Sequence, residues 1–173
     1  EKWRESNSNI VDLWKEADRA VDALRVWPFD DDGCQGKPFI LGNDCLTVDP
    51  TGIKLPNGLY IRYPGIRKED DQTLYDSRKG PVKLWGGMVV ENVVQALARI
   101  VIGEQMIALE DGGYIPVMTV HDAAVCLVPD NKLKEGVQFI VDTMSTPPKW
   151  AMDLPVACEA KYGRSYDANQ VVV

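Results

Sequence analysis

Between Asn7 and Arg25 the apolar residues Ile10, Leu13, Trp14, Ala17, Val21 and Leu24 recur every three or four positions, while Lys15, Glu16, Asp18, Arg19 and Asp22 fill the opposite side. That spacing predicts a surface helix with one buried stripe, and Asn7-Ser8-Asn9 offers residues that cap a helix N-terminus. Residues 27 to 38 then read as a loop, broken by Pro28, Gly33, Gly36 and Pro38. Short strands are expected at Phe39–Leu41 and Cys45–Val48. Ile53–Leu55 and Leu59–Tyr63 flank Pro56-Asn57-Gly58, and Asn-Gly supplies the positive φ of a tight hairpin turn. Gly65 to Gly80 is polar and reads as a connection, followed by a strand over Val82–Trp85.

Gly86-Gly87 opens onto a longer helix, expected at Val89–Leu109. At 100° per residue, Glu91, Asn92, Gln95 and Arg99 fall within an arc of about 100°. Val93, Val94, Ala96, Leu97, Ile100 and Val101 occupy the rest, so burial nearly all round is expected. Uncharged Asn and Gln in such a stripe are either kept for hydrogen bonding to a ligand or are buried amides already satisfied by protein. Val117 to Val128 places four-residue apolar arms on either side of a short centre, a hairpin with His121-Asp122 at its turn and the chain's one histidine. A carboxylate beside so much apolar surface is costly unless a cation meets it, and a metal is one such cation. The bland alternative is solvated turn chemistry. Pro129-Asp130-Asn131 starts a helix to about Met144, Pro147-Pro148 stops it, and Leu154–Lys161 reads as a last strand before a frayed tail. Interleaved hairpins and helices give an α+β fold, an antiparallel sheet with helices packed on one face.

A chain of 173 residues, 45% hydrophobic and 26% charged, has the composition of one globular domain. Its net charge of −7 opposes a free-standing nucleic-acid binder, because phosphate is met by clustered Lys and Arg. That objection weakens if basic surface lies elsewhere in a longer parent protein, which a start at Glu rather than Met suggests. No apolar run reads as a bilayer span, and Glu1-Lys2-Trp3-Arg4 is no signal peptide, so a cytoplasmic protein with no membrane partner is expected. Cys34, Cys45, Cys126 and Cys158 lack the spacing of a structural zinc site, and Cys126 and Cys158 read as packed core thiols. Asp30-Asp31-Asp32 reads as a solvated acidic loop.

Three stretches taken together resemble a known family. Gly86-Gly87-Met88-Val89-Val90-Glu91-Asn92-Val93-Val94-Gln95-Ala96-Leu97-Ala98-Arg99, then Met118-Thr119-Val120-His121-Asp122, then Leu154-Pro155 through Gly163-Arg164-Ser165-Tyr166 resemble, in order, the C-terminal palm of bacteriophage family A DNA polymerases. The hairpin at Pro56-Asn57-Gly58 and the opening helix with Ile10 and Trp14 fit the same pattern. The resemblance implies a fingers-side helix over residues 1–30 and the C-terminal part of the palm over 37–173. It implies a DNA-directed DNA polymerase that acts on primer-template DNA and dNTP through two Mg²⁺ ions. Asp122 would be the second metal aspartate, His121 would touch the primer terminus, and Gln95, with Asn92 and Glu91, would meet the duplex minor groove, where an amide tests shape without reading sequence. Arg99 would extend that stripe to a phosphate, or pair with Gln95 or Glu91. A viral polymerase of this kind works in the host cytoplasm.

The departures are as informative. The family places Glu directly after His-Asp, and Ala123 stands there; Asp is frequent where Ile100 stands. Neither the motif with the first metal aspartate nor the nucleotide-binding fingers helix has a match. The chain alone is therefore expected to be inactive, a C-terminal fragment needing the N-terminal remainder of the polymerase. A non-catalytic DNA-contact or packing module with a degraded metal site is the alternative, and a small hydrolase using His121 and Asp122 a third reading short of ligands.

Overall fold

The computed structural model describes residues 2–26, 38–41, 44–166 and 170–172. The Asp30–Asp32 loop and Cys34 lie outside the described residues. Two compact units, Glu1–Leu97 and Ala98–Val173, divide the chain.

In the first unit, α1 (Lys2–Ser6) leads into α2 (Ser8–Val26). The expected stripe is buried at Ala17, Val21 and Leu24, joined by Ala20, whereas Ile10 stays exposed. The helix packs on a four-stranded antiparallel sheet of β1 (Phe39–Leu41), β2 (Leu46–Asp49), β3 (Gly52–Lys54) and β4 (Tyr60–Ile61), in that order. Val48 pairs with Ile53, and both side chains are fully buried. The turn expected at Asn57-Gly58 forms, with Gly58 at φ 83° and the Leu55 N–H donating to the Leu59 carbonyl at 2.7 Å. At Asp49, Tyr60 Oη donates at 2.8 Å and the Thr51 N–H at 2.7 Å.

Residues 65–80 are not a simple connection. They form β5 (Arg67–Glu69) and β6 (Gln72–Ser77), which join β7 (Gly80–Leu84) in a three-stranded antiparallel sheet. The segment reads as polar because one face holds charges: Arg67 pairs with Glu69 and Asp76, each at 2.7 Å. Alternate residues supply the other face, where Tyr75 meets Tyr63 edge-on at 5.1 Å and Leu84 is buried. The long helix α3 (Gly86–Asp111) starts at this sheet and carries the boundary between the units. Asp18 of α2 accepts the Gly86 N–H, placing a carboxylate at the helix N-terminus. A Cβ on Gly86 would strike the Trp14 carbonyl and Asp18, and one on Gly87 would strike the Trp85 ring. Close approach is what these two glycines provide.

The expectation that α3 is buried nearly all round fails. Val89 and Val93 pack in the first unit and Ile100, Gln105 and Leu109 in the second, but Val94 is 58% exposed and Ile107 61%. Apolar periodicity reports which faces seek cover, and these two have none among the described residues. By length and composition alone α3 is also apolar enough to cross a bilayer, which corrects the reading that no stretch is. The core helix of a soluble protein passes the same test.

The second unit continues from α3 into β8 (Pro116–Val120) and β9 (Ala123–Cys126), a 3-10 turn at Asp130–Lys132, and α4 (Leu133–Met144). Gly136 of α4 is buried against Val128 and the Tyr114 ring, and Tyr114 also meets Phe139 at 5.3 Å. The strand expected at Leu154–Lys161 shrinks to β10 (Ala160–Tyr162), and the supposed frayed tail supplies its antiparallel partner β11 (Gln170–Val172). Side chains at 154 and 155 are exposed, so nothing there rewards an extended, paired backbone.

The fold is α+β with every described pairing antiparallel, as expected. Among the described residues, however, the strands form four small sheets and not one sheet with helices on a single face. No described strand exceeds six residues.

Candidate active-site hairpin and polar helix stripe

Val120 pairs directly with Ala123, leaving His121 and Asp122 as a two-residue loop. His121 takes the left-handed conformation at φ 55°, and Asp122 does not. A positive φ helps the chain reverse within two residues, and His tolerates it better than most non-glycine residues. Both side chains are exposed, and among the described residues neither has a hydrogen bond or ion pair. Asp122 is thus held out at a hairpin tip, neither sealed in nor tied to an arginine.

The arms correct the sequence reading. Val117 and Met118 are exposed, and Leu127, just past β9, is 73% exposed. Between Pro116 and Met118 the register shifts, with Val117 the extra residue. An exposed carboxylate is hydrated, so burial supplies no reason for a cation at Asp122. Among the described residues no three of His, Cys, Asp and Glu gather as a metal-binding group.

The helical stripe divides by role. Gln95 and Glu91 are exposed, and Gln95 Nε2 donates to Glu91 Oε1 at 3.2 Å. Asn92 is half-buried and its Nδ2 donates to Tyr63 Oη at 3.1 Å, a satisfied structural amide. Burial pushes the Tyr63 hydroxyl above its usual range. Arg99 is exposed and carries neither hydrogen bond nor ion pair among the described residues. Glu91, Asn92 and Gln95 belong to the first unit, and Arg99, His121 and Asp122 to the second.

Cys126 and Cys158 are half-buried rather than core thiols. Burial raises both, with Glu159 adding to the effect at Cys158, so both stay protonated at neutral pH. Two features escaped the sequence. Gln105 is a buried amide that donates to the carbonyls of Met144 and Thr146. Trp14 stacks on Trp3 with centroids 5.9 Å apart and 23° between planes, and meets Trp85 edge-on at 6.0 Å and 76°. Spacings this long leave no periodic trace.

The chain is similar to a phage DNA polymerase. It is 29% identical over 172 residues to the DNA polymerase of Bacillus phage SP02, an overlap covering 91% of this chain and 25% of that protein. The chain thus spans about a quarter of the length of the relative it matches. No protein family and no solved structure matches it. The similarity covers 91% of the chain, so it concerns the chain as a whole rather than one motif.

Proposed function

We propose that this chain is the C-terminal part of the palm of a family A DNA-directed DNA polymerase, which adds deoxynucleotides to a primer 3′ end on a DNA template. The observation that carries the reading is the polymerase similarity over 91% of the chain, with Asp122 standing exposed at a two-residue hairpin tip within it. In this reading Asp122 is one of two carboxylates at the reacting centre and His121 meets the primer terminus. Gln95, oriented by Glu91, offers an amide donor to minor-groove acceptors, Arg99 offers its free guanidinium to a phosphate, and Asn92 fixes the helix face through Tyr63.

Magnesium asks for about six oxygen ligands in near-octahedral geometry. Among the described residues no three His, Cys, Asp or Glu side chains gather, at Asp122 or elsewhere, so the chain by itself does not fit the ion. In the complete polymerase Asp122 would be one ligand to magnesium, whose charge would stabilise phosphoryl transfer, and the remaining ligands and the cradle for dNTP would come from the N-terminal remainder. The isolated chain is accordingly inactive.

Supplying that remainder, fused or as a separate chain, and assaying primer extension tests the reading. Nucleotide addition is expected, with Asp122→Ala lowering it by about 10²-fold or more, the scale of losing one preorganised charge partner. Because Asp122 bonds to nothing described, its removal should move stability by no more than about 0.5 kcal/mol. Extension indifferent to Asp122→Ala removes the residue from the centre. Ala123, standing where the family places Glu, favours a second reading, a non-catalytic DNA-contact or packing module, which predicts no extension at all.

A further inference from the structure

Among the described residues of the first unit, Trp3, Trp14 and Trp85 form one contiguous series of rings. An indole contributes most when its whole surface is covered, yet the outer members of the series stay open, Trp3 at 53% and Trp85 at 46% exposure. The series is nonetheless firmly built. Asp18, one turn after Trp14, accepts the Gly86 N–H, and the space beside Gly87 is filled by the Trp85 ring. Trp14, half-buried between the outer two, ties them together.

Charged residues of both signs neighbour Trp3 in sequence, in the order Glu1, Lys2, Arg4 and Glu5. Lys2 and Arg4 flank Trp3, and Lys83 stands two residues before Trp85; all three are exposed and make no hydrogen bond or ion pair among the described residues. Asp12 is held by Lys15 and Asp18 by the Gly86 N–H, while Glu5 stands on α1 next to Arg4. Open aromatic faces beside unpaired cations suit a ligand with flat apolar rings on an anionic backbone.

We propose that Trp3, Trp14 and Trp85 form a stacking platform for unpaired bases of single-stranded nucleic acid, with Lys2, Arg4 and Lys83 meeting its phosphates. The choice of nucleic acid over another anionic aromatic ligand rests on the polymerase reading above. Trp3 and Trp85 present faces to bases, and Trp14 holds them in place. Every base has a π-face, so the platform is tolerant of sequence, as a surface for unpaired template must be. The chain's net charge of −7 makes such binding weak and strongly dependent on salt.

The test titrates the whole 173-residue chain at low salt with short oligo(dT), following tryptophan fluorescence, beside an abasic strand of equal length. Oligo(dT) is expected to quench the signal and to bind more tightly than the abasic strand. Trp3→Ala and Trp85→Ala should each weaken oligo(dT) binding by about 5- to 100-fold, while Trp3→Phe and Trp85→Phe recover most of it. Abasic binding should be unchanged in all four. Should Trp85→Ala unfold the chain, Trp3→Ala and the two Phe variants decide, since Trp3 lies on the short exposed α1. Equal affinity for the two strands, or alanine variants that bind as wild type does, overturns the platform and leaves the rings as a seat for polypeptide. Absence of any oligo(dT) binding also overturns it without touching Asp122-dependent extension, so the two readings fail separately.

Discussion

Replacing Gln105 by Met keeps the length and most of the volume of the side chain while removing both amide donors. Gln105 is 6% exposed, and its Nε2 donates at 2.8 Å to the carbonyl of Met144 and at 3.4 Å to that of Thr146. Met144 ends α4, so its carbonyl is one of the last four of the helix and has no donor further along it. The 2.8 Å bond contributes about 1 kcal/mol net, the 3.4 Å contact little, and a buried carbonyl left without a donor costs roughly 1–3 kcal/mol. A loss of about 1.5–3 kcal/mol is expected, or roughly 10- to 150-fold in the unfolding equilibrium. Gln105→Ala adds a cavity and should cost about 1 kcal/mol more. Urea unfolding reads both, followed by far-UV circular dichroism and by Trp150, whose Nε1 donates to Glu104 Oε1 at 3.2 Å in the same unit. Gln105→Met within about 0.3 kcal/mol of wild type would mean that water reaches the carbonyls and that the amide does not bind the end of α4 to α3.

Asp18→Ala removes the acceptor at the start of α3 and should cost about 0.5–2 kcal/mol in chemical denaturation, while Asp18→Asn keeps most of it. His121 sits at φ 55°, so His121→Val should lower the thermal midpoint relative to His121→Gly, a difference of about 1–2 kcal/mol from steric clash in the left-handed region; equal midpoints would mean the turn relaxes. At Asp49 burial pushes the carboxyl up, but the Tyr60 hydroxyl, the Thr51 N–H and hydroxyl, and the Gly52 N–H outweigh it and hold the group below its ordinary 3.8. Its contribution to stability is therefore complete above about pH 3.8 and is lost as pH falls through the lower folded value. Asp49→Asn should flatten that acid limb in urea unfolding measured at a series of pH values, and an unchanged limb would assign it to other carboxylates.

Local chemistry carried far in this chain. The α2 stripe, the Asn57-Gly58 turn, the two-residue loop at His121-Asp122 and the helix after Pro129 are each fixed by neighbours within a few residues, and each stands close to where periodicity and turn preference put it. Residues 67–77 were lost to that approach because a sheet with one charged face, set by Arg67, Glu69 and Asp76, averages to the composition of a loop. Leu154–Lys161 failed the other way: apolar residues make a strand only where another segment pairs with them, and only Ala160–Tyr162 finds Gln170–Val172.

The candidate site divides along the same line. Sequence alone determined that a histidine and an aspartate turn a hairpin and that Glu91, Gln95 and Arg99 line one side of a helix, because both follow from backbone geometry over one or two turns. Only tertiary structure decided that Asn92 is spent on Tyr63, that Gln105 is sealed against the end of α4, and that Trp3, Trp14 and Trp85 touch. It also decided that the hairpin arms and Val94 remain exposed. Burial and long-range contact belong to whatever packs against a residue, and partners tens of positions away leave no period in the chain to read.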